Sequence, residues 1–77
     1  MARKSPPQET PRDRFVRLAT IRTNSVLRDI RILGNCSNRY VYQYSDADVN
    51  RIFSEIEKAL KDTKAKFRAS MRKEFKL

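Results

Sequence analysis

The chain has 77 residues and a net charge of +9, with 18 Lys or Arg, 9 Asp or Glu and no His. With Cys36 as its one cysteine, it lacks the side chains for an internal disulfide, for a zinc site of the usual ligand types and for a His-dependent catalytic centre. It also has no Gly-rich phosphate loop and no apolar run near the roughly 20 residues that span a bilayer, so we expect a cytoplasmic protein that is not an enzyme, needs no metal or cofactor and does not bind a membrane.

Residues 1–10 form the first predicted segment, a basic tail. It contains the pair Pro6-Pro7 and no aromatic residue, and Thr10 is its one β-branched residue. Such a composition cannot bury enough apolar surface to offset the entropy of ordering, so the tail is predicted to be disordered.

A first helix is predicted over about residues 11–33. Thr10 offers an N-cap hydroxyl, Pro11 takes the first helical position and Asp13 places a carboxylate in the first turn. Neither Gly nor Pro interrupts the pattern before Gly34, where a positive φ is expected to end the helix.

Two faces of this first helix differ in character. One is an apolar seam spaced 3,4,3,4,3, formed by Val16, Ala19, Thr23, Val26, Ile30 and Leu33. On the opposite face Ile21 and Ile32 lie among arginines, at positions 14, 17, 28 and 31. That face is either a solvated surface with two stray apolar residues or a contact face for a partner, since apolar residues rimmed by Arg resemble an interface.

The connection over residues 34–45 is longer than a helical hairpin needs. Tyr40, Tyr42 and Tyr44 alternate, which puts three rings on one face of an extended segment and predicts a short strand or strap. The rings could close the open end of the helical core. Alternatively they form a functional surface, either a strand pair in a dimer or a platform on which bases stack.

A second helix is predicted over about residues 46–72. Ser45, Asp46 and Asp48 resemble a capping box, with a hydroxyl acceptor and carboxylates in the first turn. The seam of this helix is spaced 4,3,4,3,4 and consists of Val49, Phe53, Ile56, Leu60, Thr63 and Phe67.

Together the two seams predict an all-α fold, an antiparallel two-helix hairpin. We expect Phe53, Ile56, Leu60 and Ile30 to be its most buried side chains. Because so small a core is marginal alone, and because Ile21 and Ile32 would stay exposed, we also expect a homodimer with a four-helix arrangement.

Charge placement predicts a basic pole, where antiparallel packing brings the start of the first helix beside the end of the second. Nucleic-acid phosphates are the expected ligand, whether of DNA or RNA. The residues assigned to phosphate contacts are Arg12, Arg14, Arg17, Lys64, Lys66, Arg68, Arg72 and Lys73. The alternative function is a protein-binding adaptor or inhibitor that meets an acidic protein surface through Ile21, Ile32 and the three tyrosines.

A run of residues from Ile30 through Asn38, followed by Tyr42 to Ser45 and by Asp48 to Ile56, resembles a pattern in small bacterial and mobile-element helical proteins. The resemblance covers about 30 residues, implies a bacterial or mobile-element origin and carries no function or site to this chain. In shape alone, the expected architecture is similar to small plasmid RNA-binding hairpins that dimerise as four-helix bundles.

Overall fold

The computed structural model describes the backbone of residues 8–72 and the side chains of residues 8–71. Over these residues it contains helix α1 (Pro11–Gly34), a 3-10 turn (Asn35–Ser37), helix α2 (Asp46–Arg72) and no strand. The all-α class is therefore confirmed. The chain divides into two units, Met1–Tyr42 with α1 and Gln43–Leu77 with α2.

Helix α1 begins with the predicted cap. The Thr10 hydroxyl accepts a hydrogen bond from the Asp13 backbone N–H at 3.0 Å, and the Asp13 carboxylate accepts one from the Thr10 N–H at 3.3 Å. Pro11 has no N–H to leave unsatisfied at this position. The two reciprocal bonds confirm the cap and fix the direction in which the preceding residues enter the helix. Of the predicted tail, residues 1–7 lie outside the described residues.

The end of α1 differs from the prediction, because Gly34 does not adopt a positive φ. It has φ −58° and ψ −26°, which is ordinary right-handed helix. The helix runs directly into the 3-10 turn, where the Asn35 N–H donates to the carbonyls of Ile32 and Leu33. These bonds satisfy the last carbonyls without a left-handed residue, so the expected glycine cap is wrong.

The connection contains a turn where a strand was expected. The Tyr42 and Val41 N–H groups both donate to the Asn38 carbonyl, at 2.9 and 3.1 Å, and the Tyr40 N–H donates to the Asn38 side chain at 3.0 Å. Asn offers the backbone local acceptors that compete with an extended conformation. The alternation of Tyr40, Tyr42 and Tyr44 is therefore not a strand signal here, and the prediction of a strand is wrong.

Helix α2 begins with a second capping box, at Ser45. Its hydroxyl accepts from the Asp48 N–H at 3.1 Å, and its own N–H donates to the Asp48 carboxylate at 2.9 Å. The predicted start is confirmed. Asp46 and Asp48 also place negative charge at the positive end of the helix, where it is favourable.

None of the described side chains is buried. Ile56 is half-buried, but Ile30, Phe53 and Leu60 are 41, 46 and 50% exposed. The prediction that these four would be the most buried therefore fails for three of them. A helix buries its apolar stripe only against another element.

Candidate nucleic-acid interface

Two of the α1 arginines predicted to contact phosphate are engaged by a carboxylate. The Arg17 guanidinium donates from Nε and Nη2 to the two carboxylate oxygens of Glu9, at 2.7 and 2.8 Å. The Arg14 Nε lies 3.9 Å from the same carboxylate. A bidentate pair of this kind is geometrically specific, so Glu9 occupies the fork that a phosphate would use.

The same contacts shift the ionisation of both partners. The hydrogen bond from Arg17 lowers the pKa of Glu9, aided by the positive charges of Arg17 and Arg14 and opposed by desolvation. The bond from Glu9 in turn raises the pKa of Arg17. The Glu9 side chain is only 19% exposed, while that of Arg17 is 51% exposed. Glu9 is therefore held against α1.

Sequence reasoning missed Glu9, which it assigned to the tail. A helical ion pair is recognised at a spacing of three or four, but Glu9 and Arg17 are eight residues apart and Glu9 lies outside the helix. Glu9 directly precedes the capping box, whose two hydrogen bonds fix how the chain enters α1. The sequence feature that could have drawn attention to Glu9 is the N-cap at Thr10, which Glu9 directly precedes.

Helix α2 carries cations of a different kind. Lys61, Lys64 and Arg68 form a row along one face, beside Leu60 and with Glu57 at its N-terminal end. We call these three residues the α2 cation row. Lys66 projects elsewhere on the same helix, on the far side of the apolar seam.

No described carboxylate lies within 4.0 Å of the α2 cation row or of Lys66. The ion pairs within residues 8–71 include Glu9 with Arg14, Glu9 with Arg17 and a 4.0 Å approach of Arg28 to Asp29. Every cation of the row is exposed. This face can therefore offer ammonium and guanidinium groups to an anion without first breaking a salt bridge.

The remaining predicted phosphate contacts are less fully described. Arg12 is exposed in the first turn of α1. Arg72 ends α2, but its side chain lies outside the described residues, as does Lys73 altogether. The α1 and α2 cations belong to different units, so their gathering at one pole stays a prediction.

The residues of the alternative function are mostly exposed. Ile21 and Ile32 are 58 and 55% exposed, more than any other described aliphatic residue of α1. Tyr40 is fully exposed and Tyr42 is half exposed, whereas Tyr44 is half-buried. The three tyrosines do not follow one extended strand, because the Tyr42 N–H closes a turn by donating to the Asn38 carbonyl.

The described part of the chain contains neither a group of three or more His, Cys, Asp or Glu residues that could hold a metal ion nor a helix long and apolar enough to cross a membrane. Comparison of the chain with protein-family models, with curated proteins and with solved structures finds no match.

Proposed function

We propose that this chain is a small nucleic-acid-binding protein that contacts phosphates through its basic residues. The observation that carries the proposal is the α2 cation row, three exposed cations on one helix face with no described carboxylate within 4.0 Å. Lys and Arg in this setting hold a phosphate backbone without reading its sequence. The full set comprises Arg12, Arg14, Arg17, Lys64, Lys66, Arg68, Arg72 and Lys73, to which the structure adds Lys61 as a candidate.

The proposal includes the pairing of the two helices. Each exposes an apolar stripe that only another element can cover, and an antiparallel hairpin of the two seams would bring the start of α1 beside the end of α2. The resulting repulsion between like charges costs stability, which a bound polyanion relieves. Dimerisation into four helices would cover the rest of the apolar surface.

Glu9 refines the expected contributions within this set. Arg14 and Arg17 must exchange a carboxylate for a phosphate, whereas Lys64 and Arg68 exchange only water. Replacing one anion by another gains less than binding an anion for the first time. We therefore assign the larger share of phosphate affinity to α2.

A salt titration tests the proposal. If four to six cations neutralise duplex phosphates, log affinity should fall against log salt with a slope of about −3.6 to −5.4, because each contact releases about 0.9 of a counterion. Fluorescence anisotropy with labelled duplex DNA and duplex RNA measures it. Substituting Arg68→Gln and Arg72→Gln together should flatten the slope by about two units, with helical content unchanged.

The control for that variant is an equally discharged one, Arg3→Gln with Lys4→Gln. A chain of net charge +9 binds any polyanion weakly, so affinity alone proves little. A localised interface predicts that the α2 variant loses more affinity and more slope than the control. Equal losses in both would contradict a localised interface.

A second function, a protein-binding adaptor, is favoured by one observation, the exposure of Ile21 and Ile32 among arginines. Apolar residues with an Arg rim have the composition of an interface core. Pull-down from lysate with and without nuclease separates the two functions. A partner that survives nuclease and high salt, and that is lost when Ile21 and Ile32 are both changed to Asp, would indicate the adaptor.

A further inference from the structure

The apolar seam of α2 exposes large side chains along its length. Phe53 and Leu60 are 46 and 50% exposed. From Val49 to Phe67 the seam is roughly 27 Å long at 1.5 Å per residue. Its alternating spacing of four and three averages 3.5 residues, which is the repeat of a seam that packs against another helix.

Charge along α2 is polarised, and the polarity selects the orientation of that partner. Residues 46–62 hold three basic and five acidic side chains, whereas residues 63–72 hold four basic and no acidic ones. A second α2 laid antiparallel places each acidic half beside a basic half. A parallel copy would place the two acidic halves side by side and the two basic halves side by side, so like charges would repel. An anionic bilayer would attract the basic half and repel the acidic half. The charge pattern therefore fits a second copy of the same helix, reversed.

We propose that two copies of this chain associate through α2, antiparallel and in one register. In that register Val49 faces the partner's Phe67, Phe53 faces the partner's Thr63 and Ile56 faces the partner's Leu60. The twofold axis generates the same three pairs with the two chains exchanged, so the interface has six layers. The largest side chains then meet the smallest ones across the seam, as a close-packed interface requires.

The apolar face is wide enough for this contact and for α1 as well. Ile52 and Ala59 extend it on one flank of the seam and Met71 on the other, and Ile52 is 40% exposed. The α2 cation row lies outside the apolar seam, so packing of the seam alone does not bury Lys61, Lys64 or Arg68. The inference depends on the seam and its charges, and it does not depend on nucleic-acid binding.

Disulfide trapping tests the orientation and the register at once. The test uses the full chain with Cys36→Ser, since Cys36 is exposed and would form disulfides itself. Ala59 is next to the twofold axis on the seam flank, so Ala59→Cys should cross-link to its own copy. Lys58→Cys is the matched control, because residue 58 lies at the same height but points away, beyond the roughly 7 Å Cα separation that a disulfide bridges.

The ends of the seam distinguish the two orientations. Ile52→Cys and Lys66→Cys, each alone, should stay uncrosslinked, while a mixture of the two should give a mixed disulfide with twice the 9.1 kDa mass of one chain. A mixture that gives no mixed disulfide would contradict the antiparallel register and overturn the inference. So would sedimentation as a monomer with no trapping by Ala59→Cys. The salt dependence of nucleic-acid affinity is measured in a separate experiment. Antiparallel association through α2 can therefore fail while nucleic-acid binding stands, and the reverse.

Discussion

The start of α1 and the second half of α2 both carry cations that are predicted to contact phosphate, yet their electrostatic environments differ. At the start of α1, Glu9 accepts two hydrogen bonds from Arg17 and lies near Arg14. On α2, the cation row has no described carboxylate within 4.0 Å. The comparison teaches that a count of basic residues is not the charge that a ligand meets, since one carboxylate outside a helix can offset part of the positive charge of two arginines within it.

The largest expected effect concerns the seam that we expect to hold α2 in place. Leu60→Ala should cost about 2–5 kcal/mol of unfolding free energy if Leu60 fills a core layer. Lys58→Ala, at an exposed position of α2 opposite the seam, should change it by no more than about 0.5 kcal/mol. Urea denaturation measures both. A Leu60 loss below about 1 kcal/mol would mean that the seam has no helical partner.

The next effect compares the starts of the two helices, which are built alike. Thr10→Ala and Ser45→Ala each remove a hydroxyl acceptor from a reciprocal cap, and each should cost about 1 kcal/mol. Ser54→Ala, on the exposed surface of α2, is the control and should cost nothing. Circular dichroism through a thermal transition reports all three. Thr10→Ala should additionally release Glu9 from Arg17, which Ser45→Ala cannot do.

These caps also show how far the sequence could predict the fold. Thr10 with Asp13 and Ser45 with Asp48 determine hydrogen bonds over three residues, so local chemistry alone was sufficient for both helix starts. The connection was mispredicted because Asn38 supplies local acceptors, which outweighed the alternation of the tyrosines. Glu9 could not be assigned to Arg17 from spacing, because the pair depends on the path of the chain before the helix.

A smaller effect is expected at the end of α1. Gly34 has ordinary helical angles, and a Cβ built there meets no atom within 4 Å. Gly34→Ala should therefore stabilise the chain by about 0.4–1 kcal/mol, by reducing the freedom of the unfolded state. Urea denaturation measures the gain. A loss of stability would show that Gly34 adopts a positive φ in solution, as a glycine cap requires.

The smallest effect is the pH response of the Glu9–Arg17 pair. Because contact with Arg17 lowers the pKa of Glu9 below its ordinary 4.5, the pair stabilises the native state above that pH. The contribution is lost as the pH falls through the lowered pKa. NMR titration of the Glu9 carboxyl should give a midpoint below 4.5. Arg17→Gln should return the midpoint towards the ordinary value more than Arg14→Gln does, and equal shifts would contradict the bidentate contact.

The most direct test of the account compares two double variants in the salt titration, Lys64→Gln with Arg68→Gln on α2 and Arg14→Gln with Arg17→Gln on α1. Both remove two positive charges, so general attraction to a polyanion falls equally. We predict that the α2 variant flattens the slope by about 1.8 units, at 0.9 per lost phosphate contact, and that the α1 variant flattens it by less than about half of that. An α1 variant that flattens the slope as much as the α2 variant would contradict the account.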